Sequence, residues 1–177
     1  MAYTLEEFCE NTTRTLAGTP GAAGRDAVRQ DLEKLLKDKD FVAKYCGPDA
    51  EPGIRTVYRC PETGYNVLVH VYEKGKKGPP HDHGDSWAIY GQAVGHTVMT
   101  IWKRLDGGDA KGKANLEQDK VFRLDPGMAG KFEPRDIHGI EISDGSKFVR
   151  MTGTDLNTIE TLVFNASEGT VQPGNRL

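Results

Sequence analysis

The chain changes its hydrophobic period about a third of the way along. From Thr4 to about Ala17, Leu5, Phe8, Thr12 and Leu16 recur at helical spacing, and Thr4 with Glu7 three residues on forms a capping-box pattern, so a helix is predicted there. A second helical pattern runs from about Asp26 to Asp38 on Val28, Leu32, Leu35 and Leu36, and a short third turn covers Asp40 to Cys46, ended by Gly47-Pro48. After Gly53 the period becomes two. Ile54–Arg59, a turn at Pro61-Glu62-Thr63-Gly64 and Tyr65–Tyr72 read as a β-hairpin. Further strands are predicted at His81–Tyr90, His96–Arg104, Lys120–Leu124, Gly130–Phe132, Ile137–Ile142, Lys147–Gly153 and Ile159–Phe164. Asp106–Asn115 reads as a mobile surface loop and Ser167–Leu177 as a loose tail. Many short strands joined by turns imply a sandwich or barrel.

Composition narrows the class. A chain of 177 residues with 37% hydrophobic content suits one domain with its own core, divided here into a helical segment over residues 1–52 and a barrel over 53–177. Net charge is −3 and no basic stripe is visible, which argues against nucleic acid as a partner. The first residues carry Glu6, Glu7 and Glu10 without a basic or apolar leader pattern, and no stretch reaches the roughly 20 apolar residues of a membrane span. The expectation is a cytoplasmic protein with no membrane partner, as a monomer or homodimer. Cys9, Cys46 and Cys60 are odd in number and form no CxxC pair, so they read as reduced thiols.

The candidate chemistry lies in the histidines. His81 and His83 in Pro80-His81-Asp82-His83-Gly84 stand at i and i+2, which on a strand sends both rings to one face and Asp82 to the other. A third histidine arrives on a distant strand in Pro134-Arg135-Asp136-Ile137-His138. His96, after Gly95, reads as structural or exposed, and Trp87 and Trp102 as core and rim residues.

This layout resembles the cupin superfamily: a glycine-rich lead-in, an HxH pair, a later glycine, and a histidine after a Pro/Gly turn. The resemblance implies an all-β double-stranded β-helix, or jelly-roll barrel, with N-terminal helices added. The cupin glutamate falls at Trp87 or Ala88, neither of which binds metal, so the implied ligand set is His81, His83 and His138. Three neutral imidazoles leave an octahedral ion such as Fe(II) about three open positions. A three-histidine cupin is similar to the thiol dioxygenases, and the stretch Arg55–Lys103 resembles cysteine dioxygenase type I through Gly64-Tyr65-Asn66, His81-Asp82-His83, Asp85-Ser86 and Gly95.

That resemblance implies an Fe(II) enzyme that joins O2 to a small acidic thiol, with Arg55 gripping the substrate carboxylate as a planar guanidinium can. The family's Ser-His-Tyr set is replaced here by Phe148, Arg150 and Thr152, and Ala88 stands near the place of its cross-linking cysteine. Arg150, if inward, adds a second cation that suits an acidic substrate and repels an amine. His70, which shares a face with Tyr72, is a candidate acid or base. The alternatives are a cupin isomerase or hydrolase using Mn, Ni or Zn, and a cupin that binds a small ligand without turnover.

Overall fold

The computed structural model describes residues 3–108 and 111–174. Three helices come first: α1 (Leu5–Gly18), α2 (Ala22–Leu35) and α3 (Lys39–Cys46). The Thr4 hydroxyl accepts the Glu7 amide while the Glu7 carboxylate accepts that of Thr4, so the predicted capping box starts α1. Helix α2 begins at Ala22, four residues before the predicted start near Asp26. Gly24 lets it do so, because a Cβ there would lie 1.8 Å from the Thr19 carbonyl oxygen. Asp38, read as the end of the second helix, instead caps α3 by accepting the amides of Asp40 and Phe41.

Eleven strands follow among the described residues: β1 (Gly53–Arg59), β2 (Asn66–Val71), β3 (Lys76–Lys77), β4 (Ala88–Val94), β5 (Thr97–Arg104), β6 (Leu116–Leu124), β7 (Ala129–Phe132), β8 (Ile137–Ile142), β9 (Lys147–Thr152), β10 (Leu162–Asn165) and β11 (Thr170–Pro173). They form antiparallel sheets in the orders β1-β2-β9-β4-β7 and β3-β8-β5-β6, with β10-β11 as a separate hairpin. These sheets make the jelly-roll barrel architecture that the sequence led us to expect.

Alternation along the five-stranded sheet creates two different surfaces. Val67, Val69, Val71, Ile89, Val149 and Met151 face outward and pack with Leu5, Phe8, Val28, Leu32 and Phe41 of the helices into the larger core. The fit is close enough that a Cβ on Gly91 would come within 2.6 Å of Leu36 and 2.7 Å of Leu32. The opposite face, bearing His70, Tyr90, Phe148 and Arg150, looks into the barrel. The helices therefore supply the burial that stabilises the sheet, and its inner face is left free to carry polar groups.

Three expectations change. The segment His81–Tyr90 is not a continuous strand: His81 makes single bridges to His138 and Val163, a turn follows, and pairing resumes at Ala88. The tail beginning at Ser167 contains β11, which pairs with β10 over Leu162–Asn165 and Thr170–Pro173. The loop after Asp106 is anchored at both ends, by Arg104 on Asp106 (3.0 Å), by the Asn115 amide on Asp106 (2.8 Å) and by Ala114 on Gly169; residues 109 and 110 lie outside the described residues. Cys9, Cys46 and Cys60 are all buried and free, and no helix among the described residues is long and apolar enough to cross a membrane.

Candidate metal centre

His138, on β8, brings its ring to those of His81 and His83. Ring centroids are 4.5 Å apart for His81 and His138, 4.9 Å for His83 and His138, and 5.3 Å for His81 and His83. One nitrogen from each lies within 4.8 Å of the others, and no carboxylate joins them among the described residues. Trp87 packs against the outer core and Ala88 is a buried methyl, so the place of the missing glutamate is filled by apolar groups.

The loop that carries the first two ligands is held by backbone contacts. Asp82 accepts the Gly84 amide (3.0 Å) and the Leu162 amide (2.8 Å) with one carboxylate oxygen, while the amides of His81 and His138 donate to each other's carbonyls at 2.9 Å. Gly84 adopts φ 56°, and a Cβ there would meet the Glu160 carbonyl oxygen at 2.1 Å. Arg135, also in the left-handed region at φ 68°, donates its amide to the Gly84 carbonyl and its guanidinium to Asp85 (3.0 Å). Two segments distant in sequence are thereby fastened beside the ligands they present.

The imidazoles are prepared for a cation. Burial lowers the pKa of all three; the charge of His81 adds to this at His83, those of His81 and His83 at His138, and that of Arg150 at every one. They are neutral near pH 7, as ligands must be. His81 Nδ1 donates to the Pro79 carbonyl (3.1 Å), which leaves Nε2 with its lone pair. His138 is fully buried, stacked on Phe132 at 4.0 Å, and neither of its ring nitrogens has a partner. An unpartnered buried polar group costs about 1–3 kcal/mol. A divalent ion shared by the three rings would satisfy it, so the residues fit the metal that the histidine pattern implies.

Above the cluster lies a cavity of about 340 Å³ with apolar walls that include Ile54, Ile140, Phe148 and Val163. The hairpin β10–β11 closes one side through Val163, Gln172 and Pro173. Arg150 enters from β9, 7% exposed, with Nε unpartnered. Tyr90, its cross-strand neighbour on β4, sets its hydroxyl 3.2 Å from His83 Nε2; burial raises that hydroxyl's pKa against the opposing pull of Arg150. His70 is 2% exposed, stacks on Phe148 at 4.6 Å and has both nitrogens unpartnered. Burial, then the charges of Arg150 and Lys76, lowers its pKa from 6.5 to about 2, so it is a neutral hydrogen-bonding group at pH 7.

Arg55 is elsewhere. It pairs in register with Val69, whose side chain faces the helices, and its guanidinium is exposed with Nη2 3.4 Å from the Tyr45 carbonyl. Its neighbour Ile54 takes the pocket-facing position. Strand alternation therefore turns the Arg55 side chain away from the cavity in which it was expected to act. Thr152 faces the barrel one register step beyond Arg150, and its hydroxyl donates to the Thr154 carbonyl. Sequence reasoning missed Tyr90, which brings a hydroxyl to the cluster from β4 rather than from the strand of Phe148, Arg150 and Thr152. Its alternation with Ala88 on a strand leading from the HxH loop was the available signal. It also missed the hairpin wall, because β11 offers no strong apolar pattern.

No family model matches the chain, and no curated protein matches it by sequence. Similar solved structures include KdgF from Halomonas sp., at 21% identity over 59% of this chain and 82% of that one with a TM-score of 0.42. A cupin superfamily protein from Desulfitobacterium hafniense matches at 14% identity over 62% of this chain and 86% of that one, TM-score 0.43. An oxalate oxidase in complex with the substrate analogue glycolate matches at 19% identity over 51% of this chain and 42% of that one, TM-score 0.38.

Proposed function

We propose that this chain is a metal-dependent cupin enzyme that uses Fe(II) and O2 to oxidise a small, amine-free thiol carboxylate to a sulfinate. The observation that carries the reading is a three-histidine cluster without a carboxylate, two of whose members, His81 and His83, line the cavity that the buried Arg150 also lines. Bound by His81, His83 and His138, Fe(II) would supply open positions for the thiolate and dioxygen at one centre. The overall change is R–SH plus O2 to R–SO2H: both oxygen atoms end on sulfur, which loses the four electrons that O2 gains.

The chain's own residues account for selection. Arg150 takes the substrate carboxylate and replaces Arg55 in that role. Tyr90 and His70 offer hydrogen bonds to the polar end, and Phe148, Ile140 and Val163 exclude water around the rest. Asp82 is the only carboxylate lining the cavity among the described residues, and one of its oxygens already accepts two amides. A substrate ammonium would face Arg150 and Lys76 with Asp82, already engaged by two amides, as its one counter-charge among the described lining residues, which disfavours α-amino thiols.

The test is anaerobic loading with Fe(II) followed by oxygen-uptake assays on 3-mercaptopropionate, mercaptosuccinate and cysteine. Uptake is expected with the first two, at least tenfold faster than with cysteine, and is expected to be lost in His138→Ala and reduced about a hundredfold in Arg150→Met. No uptake with any thiol would overturn the reading. Phe148, Arg150 and Thr152 in place of the thiol dioxygenases' Ser-His-Tyr set favour a second reading, in which Mn, Ni or Zn acts as a Lewis acid on an acidic metabolite. Oxygen-independent turnover with one of those metals would select it.

A further inference from the structure

Arg150 borders a second cavity. A space of about 340 Å³ shares Ile54, Arg150 and Leu156 with the metal pocket and extends away from it past Thr56, Asn66 and Thr152. Register explains the position. His70 and Phe148 form the cross-strand pair on the metal side, Leu68 and Arg150 the next, and Asn66 and Thr152 the one beyond, all on the inner sheet face.

The lining of this compartment is polar and nearly balanced in charge. Arg59 and Asp155 pair at its rim at 2.8 Å, which leaves Arg150, among the described residues, as the lining cation without an ion-pair partner. Two buried polar atoms on this wall have no hydrogen-bond partner. Arg150 Nε is a donor on a side chain 7% exposed; Asn66 Oδ1 is an acceptor on a side chain 3% exposed, and its amide nitrogen is already committed to the Gly64 carbonyl at 3.2 Å. Each is a buried group left unsatisfied unless a guest supplies the complement. A donor is wanted at Asn66 and an acceptor at Arg150, while a second formal charge has no place.

Resting on the reading that an acid binds beside the metal, we infer that this compartment receives the distal, uncharged hydroxyl- or amide-bearing end of an extended acidic ligand. The carboxylate sits on the metal side of Arg150, and the chain passes the guanidinium to place its polar end at Asn66. The substrate is then longer than a three-carbon acid, and its far end contributes affinity through hydrogen bonds rather than through charge or apolar burial.

Calorimetric titration of the Co(II)-loaded protein with propionate, hexanoate and 6-hydroxyhexanoate tests this, with the Co(II) visible spectrum reporting binding next to the metal. The hydroxylated acid should bind at least tenfold more tightly than either of the others. Asn66→Leu should remove that gain, and so should Thr56→Trp, which fills the compartment from an exposed edge position; both should leave propionate affinity within twofold. Equal affinity for hexanoate and 6-hydroxyhexanoate, or a gain that survives both substitutions, overturns the compartment while leaving acid binding at the metal intact. No response to any of the three acids overturns the compartment and the acid-binding reading together.

Discussion

His70 is the residue whose sequence context said least about its state. It sits on a strand with valines on either side, yet it is buried, stacked on Phe148 and held neutral, with its pKa lowered to about 2. A depressed histidine pKa stabilises the fold above the unfolded value near 6.5 and loses that contribution as pH falls toward the folded value, because only the unfolded chain takes up the proton. His70→Phe, which keeps the stack and cannot titrate, should therefore flatten the acid limb of the stability curve. The difference between the two proteins should change by about 2 kcal/mol between pH 6.5 and 5, at about 1.4 kcal/mol per pH unit. Urea unfolding at the two pH values checks it, and parallel curves would show that His70 accepts a proton in the folded state. Arg55 illustrates the limit at this scale. Its residue type suited the role, but one step of strand register decides whether a side chain meets the cavity or the helices, and the resemblance did not carry that step.

Among the elements, those with strong internal periodicity were legible: α1 with its capping box, β2 with alternating valines and β8 at its predicted bounds. The elements that were misread are defined by partners far along the chain. The HxH segment looks like a strand by composition, yet its pairing is to His138 and Val163 and its shape comes from Gly84 and Asp82. β11 exists because β10 is there to pair with it, and a short polar strand at that distance leaves no local trace. Asp82 joins the two, since the oxygen that shapes the histidine loop also accepts the first amide of the hairpin. Hydrogen bonds to a charged group contribute about 1.5–3 kcal/mol each. Asp82→Ala should accordingly speed hydrogen exchange at the Gly84 and Leu162 amides by tenfold or more and weaken metal binding about tenfold. Unchanged exchange at Leu162 would assign the anchoring of the hairpin to other contacts.

For the whole molecule, the helical layer and the barrel interior divide the work of stability and chemistry between the two faces of one sheet. An ion held only by the folded chain adds RT ln(1 + [M]/Kd), about 2.7–4.1 kcal/mol at 100 to 1,000 times Kd. For a chain of this size that corresponds to a rise in Tm on the order of 10 °C. The rise should appear on adding Fe(II) anaerobically or Zn(II), vanish with chelator, and be absent in His138→Ala; an equal rise in that variant would place the ion elsewhere.

The mutual hydrogen bonds between His81 and His138, with Asp82 tied to Leu162, also set an order of events in time. The first ligand leaves the ribosome long before the third, and the loop that presents the pair is not fixed until the hairpin closes over it. A nascent chain therefore offers an ion only scattered imidazoles until the hairpin strands have emerged. Loading would then follow the closing of the hairpin, and acquisition of a metal would mark a barrel that has finished closing.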